Sequence, residues 1–120
     1  MIFRLRWTPE ATATFEGLHQ AAARAHESRA GTKGSGRPKS SKQEGLFKQV
    51  AKAVRLLAEN PRHPGLNTHE FDSIPHPFDD DAKVFEAYAQ NQTRGAYRIF
   101  WCDGPNQCDI AIIAITPHPY

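Results

Sequence analysis

The chain has 120 residues, 39% hydrophobic and 23% charged, a balance that suits one soluble globular domain spanning 1–120. A net charge of +2 is too small to argue for a polyanionic partner, so any such argument must rest on where the arginines fall. No apolar run approaches the roughly twenty residues that a membrane helix needs. The opening MIFRLRWTPE also lacks a signal-peptide pattern, so a cytoplasmic protein without membrane contact is expected.

In residues 2–7, IFRLRW, Phe3, Leu5 and Trp7 alternate with Arg4 and Arg6, the pattern of a half-buried strand. Thr8-Pro9-Glu10 then reads as a helix start. Thr8 is the N-cap, Pro9 sits where a missing N–H costs nothing, and Glu10 faces the helix dipole. Ala11, Phe15, Leu18, Ala22 and Ala25 recur at three- and four-residue spacing, which predicts one buried stripe along a helix to about His26.

From about 27 to 42 the chain turns to Gly, Ser and basic residues with no large apolar side chain, and a mobile connector is predicted there. A second amphipathic helix follows from about Lys42 to Glu59, with Leu46, Phe47, Val50, Val54 and Leu57 on its stripe, and Asn60-Pro61 stops it. Residues 60–82, NPRHPGLNTHEFDSIPHPFDDDA, read as irregular surface chain. The spacing of His63, His69 and His76 matches no helical metal motif, so no metal site is expected.

The last quarter reads as three consecutive strands, KVFEAYAQ, then RGAYRIFWCD, then CDIAIIAITPH. Cys102 and Cys108, too few for a disulfide framework, flank the turn DGPNQ between the last two and are read as reduced thiols. Alternation puts Tyr97, Ile99 and Trp101 on the core side and turns Arg98 and Phe100 the other way. In the preceding strand Phe85, Ala87 and Ala89 form the apolar face, opposite Glu86, Tyr88 and Gln90. Ile110 to Thr116 is apolar on both faces, as an interior strand would be. If the first strand lies beside it, the face away from the helices gathers Arg4, Arg6, Glu86, Tyr88, Arg98 and Phe100, with His118 just past its end. A plain solvated face would more often be Thr, Lys and Glu than Arg, Tyr and Phe.

The order strand, two helices, three strands, together with NPRHPGL after the second helix, GAYRIFW on the penultimate strand and the ending ITPHPY, resembles the RelE/ParE toxin superfamily of bacterial type II toxin–antitoxin systems. The resemblance implies an α+β, RelE-like fold, β-α-α-β-β-β, with a helical hairpin packed on one face of a small twisted sheet of about four strands. It also implies a metal-independent mRNA endoribonuclease (mRNA interferase) without a cofactor. In that chemistry a ribose 2′-OH attacks its neighbouring phosphate to leave a 2′,3′-cyclic phosphate and a 5′-OH.

On this reading Arg98 holds the charge of the phosphorane. His118, similar to the C-terminal histidine of the YoeB and HigB branches, is the acid, and Glu70, His69 or Glu86 is the base. Arg4, Arg6 and Arg62 would contact RNA, while Tyr88, Phe100 and Tyr120 would stack on its bases. The implied partners are mRNA on the ribosome and a cognate antitoxin whose disordered segment wraps the toxin. Two non-enzymatic alternatives share the fold, a ParE-like inhibitor of DNA gyrase and a RelE-like binder that has lost cleavage.

Overall fold

The computed structural model describes residues 2–30, 42–71, 82–90, 96–104 and 106–117. Its elements in order are β1 (Arg4–Trp7), α1 (Pro9–Ala30), α2 (Lys42–Glu59), a 3-10 turn (Pro64–Leu66), β2 (His69–Glu70), β3 (Val84–Tyr88), β4 (Tyr97–Asp103) and β5 (Asp109–Pro117). The strands form one sheet in the order β1-β5-β4-β3-β2. β1 runs parallel to β5, and the other neighbours are antiparallel. Among the described residues no helix is long and apolar enough to cross a membrane.

The chain is thus α+β, with two helices on a mixed sheet, but the sheet has five strands and not four. The extra strand is β2, which lies inside the stretch expected to be irregular. It pairs His69 with Glu86 and Glu70 with Phe85, and the Phe71 N–H continues the ladder to the Val84 carbonyl at 2.8 Å. The first helix also runs to Ala30 rather than stopping near His26, and the basic connector beyond it lies outside the described residues.

Thr8 joins strand to helix. Its hydroxyl oxygen accepts the Ala11 N–H at 3.1 Å as an N-cap and donates to the Ile113 carbonyl at 2.6 Å, so the cap also fastens α1 to β5. The stripes of both helices face the sheet. Ala11, Val50 and Leu57 bury against Ile99, Ile110, Ile112 and Ile115, and Leu66 of the 3-10 turn seals the end of that core. A smaller apolar cluster, Val84, Cys102 and Ala111 with Ile113 beside it, lies on the opposite face. Pairing slips between Phe100 and Trp101, where Ile113 is the extra residue of a β-bulge, yet Ile112 and Ile115 both stay on the core side.

Candidate functional site

The face away from the helices is set by register. Tyr88 lies opposite Arg98, Glu86 opposite Phe100, and His69 opposite Glu86 on its other side. Arg98, Tyr88, Glu86 and His69 therefore come together at one end of β2, β3 and β4. Glu86 and Arg98 are diagonal neighbours, about 7–8 Å apart by the geometry of such pairs.

Arg98 is only 8% exposed. Its guanidinium carbon lies 3.7 Å from the centroid of the Tyr88 ring, a close cation–π contact. Nη1 donates to the carbonyls of Gln90 and Tyr97. Nε is buried without a hydrogen-bond partner among the described residues. A guanidinium fixed by one nitrogen and stacked on one face keeps its planar fork for an oxyanion.

Gln90 orients this arginine in a second way. Its side-chain oxygen accepts the Tyr97 N–H at 3.1 Å, and its side-chain nitrogen donates to Gln49 of α2 at 2.8 Å. One glutamine thus links helix α2, strand β4 and the Arg98 fork.

His69 and Glu86 form the other half. His69 Nε2 lies 2.7 Å from Glu86 Oε1, and Nδ1 lies 3.0 Å from the Asn67 carbonyl. A carbonyl only accepts, so the Nδ1 contact is a hydrogen bond in the tautomer that carries its proton there. The carboxylate is 2% exposed, whereas the histidine side chain is 47% exposed and meets solvent. Asn67 adopts a left-handed conformation, φ 47°, at the end of the 3-10 turn, a geometry asparagine tolerates well. That turn carries the chain into β2, where the Asn67 carbonyl meets the histidine.

Other expected site residues lie elsewhere. Glu70 is on the opposite face, beside Phe85, and pairs with Lys83 at 2.8 Å. Phe100 faces the Arg98 side but is buried with the Phe71 ring 4.7 Å away, so it is packed rather than offered to a base. Arg4 and Arg6 share the outer face on β1. Arg6 aligns through Ala111 with Cys102, four residues along β4 from Arg98 and two strands across, roughly 16 Å by strand geometry. Arg6 is bound to the buried Asp109 at 3.1 Å. Arg62 is exposed on the loop after α2 and lines a cleft on the helix side. His118 and Tyr120 lie outside the described residues, and β5 ends at Pro117, the partner of Tyr97.

The sequence reading missed the Gln49–Gln90 link, the Phe71 lid on Phe100 and the His69–Glu86 contact. A usable signal existed for the glutamine alone, since alternation already put Gln90 on the face of Glu86 and Tyr88.

No protein-family model matches the chain, and no curated protein matches it. Solved structures do. A YoeB/ParE toxin from Agrobacterium tumefaciens superposes with a TM-score of 0.55 at 11% identity, covering 96% of this chain and 98% of that one. The chain has the RelE/ParE toxin fold. The RelE–RelB complex from the archaeon Pyrococcus horikoshii OT3 matches with a TM-score of 0.55 at 11% identity, over 99% of this chain and 98% of that one. The YoeB dimer from Staphylococcus aureus matches with a TM-score of 0.57 at 10% identity, over 98% and 99%. Within this RelE-like fold, Arg98, Tyr88 and the His69–Glu86 pair share one end of the sheet.

Proposed function

We propose that this protein is a toxin of the toxin–antitoxin kind that cuts mRNA without a metal, and that the cut is made at Arg98. The observation that carries the reading is a buried guanidinium whose Nε has no partner among the described residues, one diagonal step from a histidine–carboxylate pair. An arginine fork meets phosphate, and a histidine backed by a carboxylate moves protons.

In the proposed reaction the scissile phosphate lies on the Arg98 fork. The His69–Glu86 pair takes the proton of the attacking 2′-OH. The 2′-oxygen bonds to phosphorus, the bond to the 5′-oxygen breaks, and that oxygen takes a proton from His118, the acid we assign from its position after β5. Arg98 offsets the charge that builds on the phosphorane, where fixed donors act most strongly. Tyr88 holds the guanidinium flat from one side.

The partners we assign are mRNA, on the ribosome, and an antitoxin polypeptide. The structural likeness to RelE solved with RelB supports the second. Purified protein, with ribosomes and a defined mRNA, tests the reading. Cleavage is expected to give 5′-OH ends and to fall about a hundredfold in His69→Gln and in Glu86→Gln. Intact mRNA with unimpaired growth inhibition in both variants would sink it, and accumulation of cut plasmid DNA would point to gyrase.

A further inference from the structure

A pocket lies where α2, the 3-10 turn and the end of β3 meet. It holds about 440 Å³, within the range of small-molecule sites, and Lys52 and Gln49 of α2 stand exposed in its wall, so a ligand can reach it from solvent. Ala53, Leu56 and Leu66 supply its apolar part. Its unspent polar groups are donors. His63 Nδ1 accepts the Gly65 N–H at 3.0 Å, so the neutral ring carries its proton on Nε2, which has no partner among the described residues. A Cβ on Gly65 would come within 3.1 Å of that Nδ1 and 3.2 Å of Cε1, so it is the bare glycine that lets the ring lie against the N–H. Gln49 spends its side-chain oxygen on Gln90 at 2.8 Å and keeps its own amide N–H groups. Lys52 pairs with no carboxylate among the described residues, and no carboxylate lines the pocket. Three donors, one of them a permanent cation, thus share an accessible pocket beside apolar side chains, an arrangement that favours an anion with several acceptor oxygens.

Two residues join this pocket to the Arg98 face. Tyr88 lines it and stacks its ring on the guanidinium at 3.7 Å, and Gln90 lines it and gives Arg98 its main-chain carbonyl. We propose that the pocket seats the RNA backbone phosphate next to the one that is cut, with Lys52, Gln49 and His63 as its donors. This rests on the RNA-cleaving reading of the neighbouring face. With the scissile phosphate on Arg98, the next phosphate along the strand needs a cation of its own, and Lys52 supplies it from the far side of Tyr88. Lysine alone binds phosphate as a point charge, whereas the added N–H groups of Gln49 and His63 give the oxygens directed partners. Such a contact fixes the register of the strand over Arg98 and carries no base preference.

Two probes test this on the full chain: inorganic phosphate, and a short RNA oligonucleotide 2′-O-methylated on every sugar, which lacks the attacking hydroxyl and so is read whether or not the protein cuts RNA. Phosphate is expected to move the His63 ring signals in NMR spectra, assigned with His63→Gln, and Gly65→Ala, which pushes the ring off its N–H, should abolish the shift. Lys52→Met keeps the stem and removes the charge. It should weaken oligonucleotide binding about tenfold and flatten the slope of log affinity against log salt by about 0.7. Arg24→Met, at an exposed position on α1 that does not line the pocket, should leave both nearly unchanged. Replacing the backbone phosphates one at a time by neutral methylphosphonates should cancel the effect of Lys52→Met at a single position. Affinity and salt slope that Lys52→Met leaves as they were overturn the subsite even if RNA is cut, and inorganic phosphate binding beside that result would make the pocket a free-anion site instead. An oligonucleotide that binds as expected to a protein that leaves ordinary RNA whole would keep the subsite and remove the ribonuclease reading.

Discussion

Replacing Arg98 by methionine separates an arginine kept for chemistry from one kept for the fold. Methionine preserves most of the buried stem, so little apolar burial is lost. The Nη1 hydrogen bonds go, but the Tyr97 carbonyl still accepts the N–H groups of Ala89 and Gln90. Only the Gln90 carbonyl, at a half-buried residue, loses a donor, at about 1 kcal/mol. The cation–π contact with Tyr88 removes about 2 kcal/mol more, of which a sulfur–aromatic contact recovers up to about 1. Against these stands the relief of burying a guanidinium at 8% exposure, several kcal/mol in its own right. Arg98→Met is therefore expected to unfold within about 1 kcal/mol of the parent, a shift of roughly 4 °C or less in Tm. Its RNA cleavage should fall by a hundredfold to a thousandfold. Thermal unfolding by circular dichroism and cleavage of a defined mRNA measure the two sides. A loss of more than about 3 kcal/mol would make Arg98 a structural residue and refute the reasoning.

Three further outcomes follow from the same structure. Gln90→Ala removes the side-chain bridge between Gln49 and the Tyr97 N–H and leaves the main-chain carbonyl that Arg98 donates to less firmly placed, so turnover should fall more than substrate affinity, and Gln90→Glu, which keeps the acceptor, should recover part of it in single-turnover kinetics. Burial, with Asp103 adding to it, pushes the Cys102 thiol from 9.0 up to about 11. The folded state thus holds that proton more tightly, and chemical denaturation should show stability falling as pH rises from about 9 to about 11. An aromatic disulfide reagent at pH 8 should accordingly spare Cys102 in the folded chain and reach it only in denaturant. Leu57→Ala empties a fully buried position between α2 and the sheet and should cost about 2–5 kcal/mol in urea unfolding; a smaller loss would mean the helix does not pack there as described.

What could be read from the amino acids alone depended on periodicity. β1, β3 and β4 alternate, β5 is a continuous apolar run and both helices carry stripes, so these elements were legible. β2 was not, because two residues make no period, and His69 and Glu70 sit in a stretch whose prolines and aspartates argue for irregular chain. The His69–Glu86 contact depends on that strand's register and so escaped with it. Arg98 stood out as a charge in an apolar strand. Its depth did not, since alternation tells which side a residue faces and nothing of what lies over it. Phe100 failed as a stacking platform for the same reason, because the ring that covers it, Phe71, is distant in sequence.

The parallel pairing of β1 with β5 sets an order in time as well as in space. Arg4–Trp7 can find their partners only after Asp109–Ile112 have been made, so a chain emerging from a ribosome carries an unpaired first strand until β5 follows it. Such long-range closure slows folding and leaves strand edges exposed meanwhile. β4 likewise waits for β5, and with it the strand that carries Arg98. The face that carries Arg98 is therefore complete only once β5 has been made.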